Sequence, residues 1–434
     1  MQFKNIAWSL VGLGTPLLIA VAIIPALVQT IGMERFGLLT LVWGLIGYAG
    51  VFDLGIGRAA TQFIAQLRGQ DSYAEIPMVI RSAIQITFLT GVIGALLLVL
   101  AGILDVQKLI KHSAGMDNEI TISFFIIALV VPIQSMSATY RGVSEAFENF
   151  RGISVLRMAL GLLNFLAPYL VAQYYTTSLP WLVSTLLVSR MVALVVYRHL
   201  AIRSVVGNPD YQLHTSFSLD NVKTRKRLFA FGGWITASSI ISPVLMQADR
   251  FVIATVISAT TVATYTIPYE VIVQSSIIAG AITTVAFPSL AKLMHEKPSQ
   301  GYALFCRWLI NVALIMLLVT GTLALLLPVI LPLWISHNLP VESVLIGQIL
   351  CIGVYVYSIG TMYTAFLHAN ELPKISAIIH SVEVLPYLYI LYELIVRFGV
   401  YGAALAWVVR AIVDTFLLAY LSNRIVIKPL RNVL

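Results

Sequence analysis

Three arginines interrupt long apolar runs of this chain: Arg190, Arg250 and Arg410. If such runs cross a bilayer, a guanidinium near the midplane costs at least about 2.5 kcal/mol on insertion scales, so each needs a reason to be there. The planar fork of a guanidinium matches phosphate oxygens, and a buried arginine therefore suits a phosphate-bearing anion. Arg190 stands 11 residues after Leu179 and Arg410 ten after Val400, where their apolar runs begin. At a helical rise of 1.5 Å per residue both lie roughly 15 Å deep. Two cations at equal depth, facing a shared cavity, would suit an anionic substrate. Arg410 has a competing reading, a local pair with Asp414 one helical turn on. Arg190 has no acid within its own turn.

Carboxylates are as sparse in these runs and as informative. Asp249 adjoins Arg250, but neighbouring helical residues diverge by about 100°, so the two cannot meet face to face. Glu270 and Glu383 also sit in apolar sequence. A carboxylate isolated in a membrane suits coupling to a proton or sodium ion; alternatively each pairs with one of the arginines and serves assembly. Asp53, Arg58, Arg141 and Glu145 fall near the ends of runs, where charges reach lipid headgroups or form a gate. Tyrosines Tyr265, Tyr269, Tyr355, Tyr357, Tyr363, Tyr387 and Tyr389 crowd the second half. Such residues bond across helices or sit at interfaces, and a Tyr-lined cavity would also suit sugar rings. The chain has no phosphate-binding loop of the G-x-x-x-x-G-K-[ST] type, no Ser/His/Asp arrangement and no H-E-x-x-H, so it is not expected to be an enzyme. Cys306 and Cys351 offer neither a disulfide framework nor metal-ligand spacing, and no metal or bound cofactor is expected.

The elements that must hold these groups follow from composition. Of 434 residues, 59% are hydrophobic and 11% charged, far from the roughly 25% charged of soluble domains. That excludes soluble enzymes and nucleic-acid-binding domains. About 20 apolar residues span a bilayer as a helix. Such runs occur at 5–30, 36–57, 78–103, 119–140, 153–175, 179–202, 228–256, 262–291, 302–331, 342–368, 374–397 and 400–425. The ten-residue alternating segments of a membrane barrel are absent. The expectation is an all-α polytopic membrane protein with 12 transmembrane helices. With a cytoplasmic N-terminus, 20 of the 27 Lys and Arg residues fall inside, four outside and three within spans. Cytoplasmic loops carry such an excess, which places both termini in the cytoplasm.

The longest polar segment, Arg203 to Arg227, ends in the basic cluster Lys223, Arg225, Lys226 and Arg227. It separates an N-terminal lobe (1–203) from a C-terminal lobe (228–434), with 204–227 as a cytoplasmic linker. An offset of 226 places Trp8 on Trp234, Thr40 on Thr266 and Ala60 on Ala286, while 220 places Arg190 on Arg410. Six spans repeated in parallel are a transporter plan. Pro16, Pro25, Pro243, Pro268, Pro288, Pro328 and Pro332 interrupt spans and either kink them or serve packing.

Two stretches resemble a known family. Gly32-Met33-Glu34-Arg35-Phe36-Gly37-Leu38-Leu39 is followed by Phe52-Asp53-Leu54-Gly55-Ile56-Gly57-Arg58-Ala59. Gln247-Ala248-Asp249-Arg250-Phe251-Val252-Ile253 is followed by Ala263-Thr264-Tyr265, where Ala263 replaces the glycine usual in that family. Both resemble polysaccharide-biosynthesis flippases of the Wzx type, within the multidrug/oligosaccharidyl-lipid/polysaccharide exporter superfamily. The resemblance implies two pseudo-symmetric six-helix bundles around a central cavity. It implies translocation of an undecaprenyl-pyrophosphate-linked oligosaccharide repeat unit, such as that of O-antigen in lipopolysaccharide, across the bacterial inner membrane by ion-coupled alternating access. Arg190, Arg410, Arg250, Arg58 and Arg141 are then expected to meet the pyrophosphate and glycan. Asp249, Glu270, Glu383 and Asp53 would carry H+ or Na+. The partners implied are the lipid-linked oligosaccharide, membrane lipids, a polysaccharide polymerase and a chain-length regulator, with no nucleic acid. The rivals are a cation-coupled drug antiporter of the same superfamily, which needs acidic binding residues that the first span lacks, and a membrane-embedded glycan-processing enzyme, which needs a larger extramembrane loop.

Overall fold

The computed structural model describes residues 2–70, 72–113, 115–147, 149–206, 245–335, 340–370 and 372–428. The basic cluster at 223–227, Trp234 and Pro243 lie outside them. The described residues are helical throughout, with no strand among them. The helices are α1 (Gln2–Ala49), α2 (Ile56–Gly69), α3 (Ile76–Ile103), α4 (Asp117–Ala146), α5 (Phe150–Tyr174) and α6 (Leu179–Val206). They continue with α7 (245–256), α8 (Ala259–Gln274), α9 (Ser276–Glu296), α10 (Pro298–Ile335), α11 (Glu342–Ala369), α12 (Pro373–Phe398) and α13 (Val400–Ser422), whose end is a π-helical turn at Asn423–Ile427.

Ten helical stretches among the described residues are long and apolar enough to cross a membrane. Nine match expected spans one to one, and the tenth, Ile19–Asp53, holds parts of spans one and two. The chain is a multi-pass membrane protein. Within α1 the only departure from helical geometry is at Gly32, whose φ of 79° and ψ of 163° let the chain turn where a side chain would be strained. The helices run on through Pro25, Pro132, Pro168, Pro268, Pro328, Pro332 and Pro386. Breaks fall elsewhere, at Gly50–Gly55 in span two and at Ser275 in span eight.

The chain forms two compact units, Met1–Pro243 and Val244–Leu434. In the first, α4 packs on α2, α3 and α6, and α1 on α5. Small and hydroxylic residues let membrane helices approach. Thr61 Oγ1 donates to the carbonyls of both Gly57 and Gly142, at 3.0 Å each, and a Cβ on Gly142 would sit 2.3 Å from the Gly57 oxygen. Thr139 and Thr87 bond across α4 and α3 at 3.1 Å. In the second unit α11 packs on α8, α9, α10 and α13, and α12 on α13. Outer faces carry exposed apolar side chains, among them Phe88, Leu89 and Leu96 of α3 and Leu314, Leu318 and Leu325 of α10. Such a surface is stable only against hydrocarbon.

Candidate functional site

In the second unit, the charged residues expected to do chemistry are held in two sets of largely buried contacts. Asp249 and Arg250 are 1% and 5% exposed. As the 100° step between neighbours requires, their side chains go to different partners. Asp249 Oδ2 accepts from the Tyr265 hydroxyl at 2.5 Å, and its Oδ1 accepts from the Arg250 backbone N–H at 2.8 Å. The Arg250 guanidinium donates to Glu270 Oε1 at 2.6 Å and lies 5.2 Å from the Tyr269 ring centroid. Tyr265 and Tyr269 are thus partners of the motif residues, one turn apart on α8.

A second arm belongs to α12 and α13. Arg410 Nε donates to Glu383 Oε1 at 3.3 Å, and its Nη1 to the carbonyl of Leu245, in the first turn of α7, at 3.0 Å. Its guanidinium carbon is 5.3 Å from the Tyr387 ring centroid. The expected alternative partner, Asp414, is taken instead by His380, at 3.3 Å. Glu270 and Glu383 thus each pair with an arginine, and the acid one turn from Arg410 faces a histidine instead.

In the first unit the pattern differs. Arg190 has one hydrogen bond, from Nη2 to Asn164 Oδ1 of α5 at 3.4 Å, and its buried Nε has no partner. No carboxylate pairs with it among the described residues. Asp53 ends the short 3-10 turn Gly50–Asp53, and its Oδ1 accepts from Gly55 N–H at 2.5 Å. Leu54 and Gly55 both take left-handed φ values, 51° and 67°, which that bond helps to hold. Asp53 therefore shapes the break in span two. Arg58 is exposed, and Arg141 pairs with Glu145 at 3.6 Å on the outside of α4. The other charged motif residues also have positioning work. Arg35 pairs with Glu119 at 3.1 Å, Glu119 accepts from the first N–H of α6 at 2.8 Å, and Glu34 accepts from Ser113 N–H and Oγ.

A cavity of about 370 Å3 lies between α3, α4 and α6, walled mainly by apolar side chains such as Ile80, Ile84 and Val205, with Arg81, Arg198 and Tyr140 also in its lining. None of the expected site residues reaches it. Sequence reasoning missed His380, Tyr265 and Asn164 as partners. The spacings His380-x-x-Glu383 and Arg410-x-x-x-Asp414, each one helical turn, were the available signal for the first.

The polysaccharide biosynthesis protein family model matches residues 3–294. A protein of Shigella flexneri named "Putative O-antigen transporter" is 31% identical over 97% of this chain and 97% of its own. A protein of the same name from Salmonella typhi is 23% identical over 62% of this chain and 60% of its own. Among solved structures, an inward-facing multidrug resistance MATE transporter of the MOP superfamily aligns with a TM-score of 0.76, at 15% identity over 98% of this chain and 99% of that one. The lipid II flippase MurJ, in an inward closed conformation, aligns at 0.67, with 14% identity over 96% and 87%. At those identities the likeness shows the fold, that of MATE and MurJ transporters. A family model that matches two thirds of the chain and a relative 31% identical over nearly its whole length lead to one assignment: the chain belongs to the polysaccharide biosynthesis protein family.

Proposed function

We propose that this protein moves an undecaprenyl-pyrophosphate-linked oligosaccharide repeat unit, of the O-antigen kind, across the bacterial inner membrane by alternating access coupled to a proton or sodium gradient. Relatives named as O-antigen transporters, with a flippase of lipid II among the neighbours in fold, support the substrate class. The excess of Lys and Arg on one side supports cytoplasmic termini. The polymerase and the chain-length regulator are the expected recipients of the product.

The observation that carries the reading is Arg190. A guanidinium half-buried in the middle of α6, with one long bond to a neutral amide, is a charge without a countercharge. Membrane interiors tolerate that where an anion visits. Arg190 is accordingly the first contact for the pyrophosphate within the bilayer interior. Arg410 and Arg250 come second, since each must first leave a carboxylate, and Arg58 and Arg141 meet the anion nearer the cytoplasm. The test is Arg190→Ala in cells lacking the native gene, scored by surface O-antigen on gels and by immunoblot of the membrane fraction. Loss of glycan with protein retained is expected; normal glycan would overturn the assignment. Transport of a cationic dye by purified protein in vesicles would instead favour a drug antiporter.

A further inference from the structure

Two buried oxygens of the second unit are left over by the arginine network: Glu383 Oε2, which has no hydrogen-bond partner, and Asp414 Oδ1, which faces only the His380 imidazole. Both side chains are only 7% exposed. His380 Nε2 lies 3.3 Å from Asp414 Oδ1, and the donor atoms of His380, Glu383 and Asp414 all lie within 4.8 Å of one another. Three groups able to hold a cation thus converge between α12 and α13, with Glu383 Oε2 unused.

Charge decides what fits. Glu383 and Asp414 carry two negative charges and Arg410 one positive, so the cluster is short of one positive charge when His380 is neutral. A divalent metal would overshoot by one. Metal bonds of about 2.0–2.2 Å also bring ligand atoms to roughly 3.5 Å of one another, against a spread here of up to 4.8 Å. Sodium has the right charge, but hard cations take oxygen ligands and imidazole is a poor one. A proton has the right charge, needs no cage, and has an imidazole and a carboxylate within reach of each other.

We propose that His380, Glu383 and Asp414 form a proton-binding site, in which one proton held between His380 Nε2 and Asp414 Oδ1 balances the charge that Arg410 leaves uncompensated. The groups that face it are Glu383 and Tyr387 from α12, Arg410 and Asp414 from α13, His368 and Tyr357 from α11, and the Leu245 carbonyl from α7. Because Arg410 is shared between Glu383 and Leu245, its departure toward an anion would raise the demand for a proton at this site. Proton and anion are then linked through one side chain, and linkage acts in both directions. That role in coupling rests on the flippase reading; the proton site does not.

The test is 15N-histidine NMR of the full-length protein in nanodiscs, with His380 assigned through His380→Gln. The expected result is an imidazolium signature for His380 that persists into neutral pH, absent from Asp414→Asn while the other histidine signals stay in place, and restored in Asp414→Glu. A neutral imidazole in the wild type across about pH 5 to 8 overturns the proposal, whatever the variants do. So does a His380 signal that answers to added NaCl or ZnCl2 rather than to pH. In cells, loss of surface glycan in His380→Gln, with protein retained in the membrane, is expected if the site couples transport. Loss in Arg190→Ala alone, with His380 neutral, would leave the flippase reading standing and remove the proton site.

Discussion

Arg190 and Arg410 occupy the same position in their helices, 11 and ten residues from the starts of α6 and α13, and one repeat offset joins them. Their surroundings have little in common. Arg410 is held by Glu383, by a backbone carbonyl and against a tyrosine ring. Arg190 has a single long bond to an asparagine. Equal depth therefore does not mean equal availability: one guanidinium has already been neutralised by the protein, and the other has not. A buried pair of the first kind is costly to break from one side, whereas a cation of the second kind adds no ion pair to the fold.

The contrast can be tested by removing each charge. Arg190→Ala should reduce surface O-antigen to background without lowering the thermal melt in detergent, since it removes a buried charge that has no counter-ion; a large drop in the melt would show Arg190 to be structural. Arg410→Ala should destabilise by about 3–5 kcal/mol, because Glu383 is left buried and unpaired. The double replacement Arg410→Met with Glu383→Leu should recover most of that stability but not transport. If the double variant melts as low as the single one, Arg410 stabilises by something other than its pair. Tyr265→Phe should cost about 1.5–3 kcal/mol, since it deletes a buried hydrogen bond to a carboxylate; an unchanged denaturant midpoint would separate the second motif from folding. At the small end, Glu393→Gln, which breaks the exposed pair with Arg397, should change stability by less than about 0.5 kcal/mol.

How far the sequence reached is clearest at these residues. The places of Arg190 and Arg410 within their helices were legible because the apolar runs of α6 and α13 mark where those helices begin. Their partners were not, because spacing along one helix says which residues share a face and nothing about what a neighbouring helix presents there. Asp414 lies one turn from Arg410, yet His380 on α12 takes it, and Glu383 on the same helix takes Arg410. The divergence of Asp249 and Arg250 was predictable from the 100° step; that Tyr265 would receive one of them required the packing of α7 beside α8. The described prolines lie within continuous helices, as neighbouring helices can support them, and the helical dihedrals depart instead at Gly32 and around Leu54 and Gly55, which no single residue type in the sequence marked. The family motifs were found as chemistry, and several of their charges turned out to shape turns and clamps.

The contact between α2 and α4 has a mechanical consequence. At Gly57 and Gly142 the two backbones meet with no room for a methyl group, and the hydroxyl of Thr61 fastens both carbonyls. Two rods joined so closely cannot slide by a turn without unfastening. Any bend at Gly50–Gly55, just before α2 begins, must therefore carry the end of α4 with it.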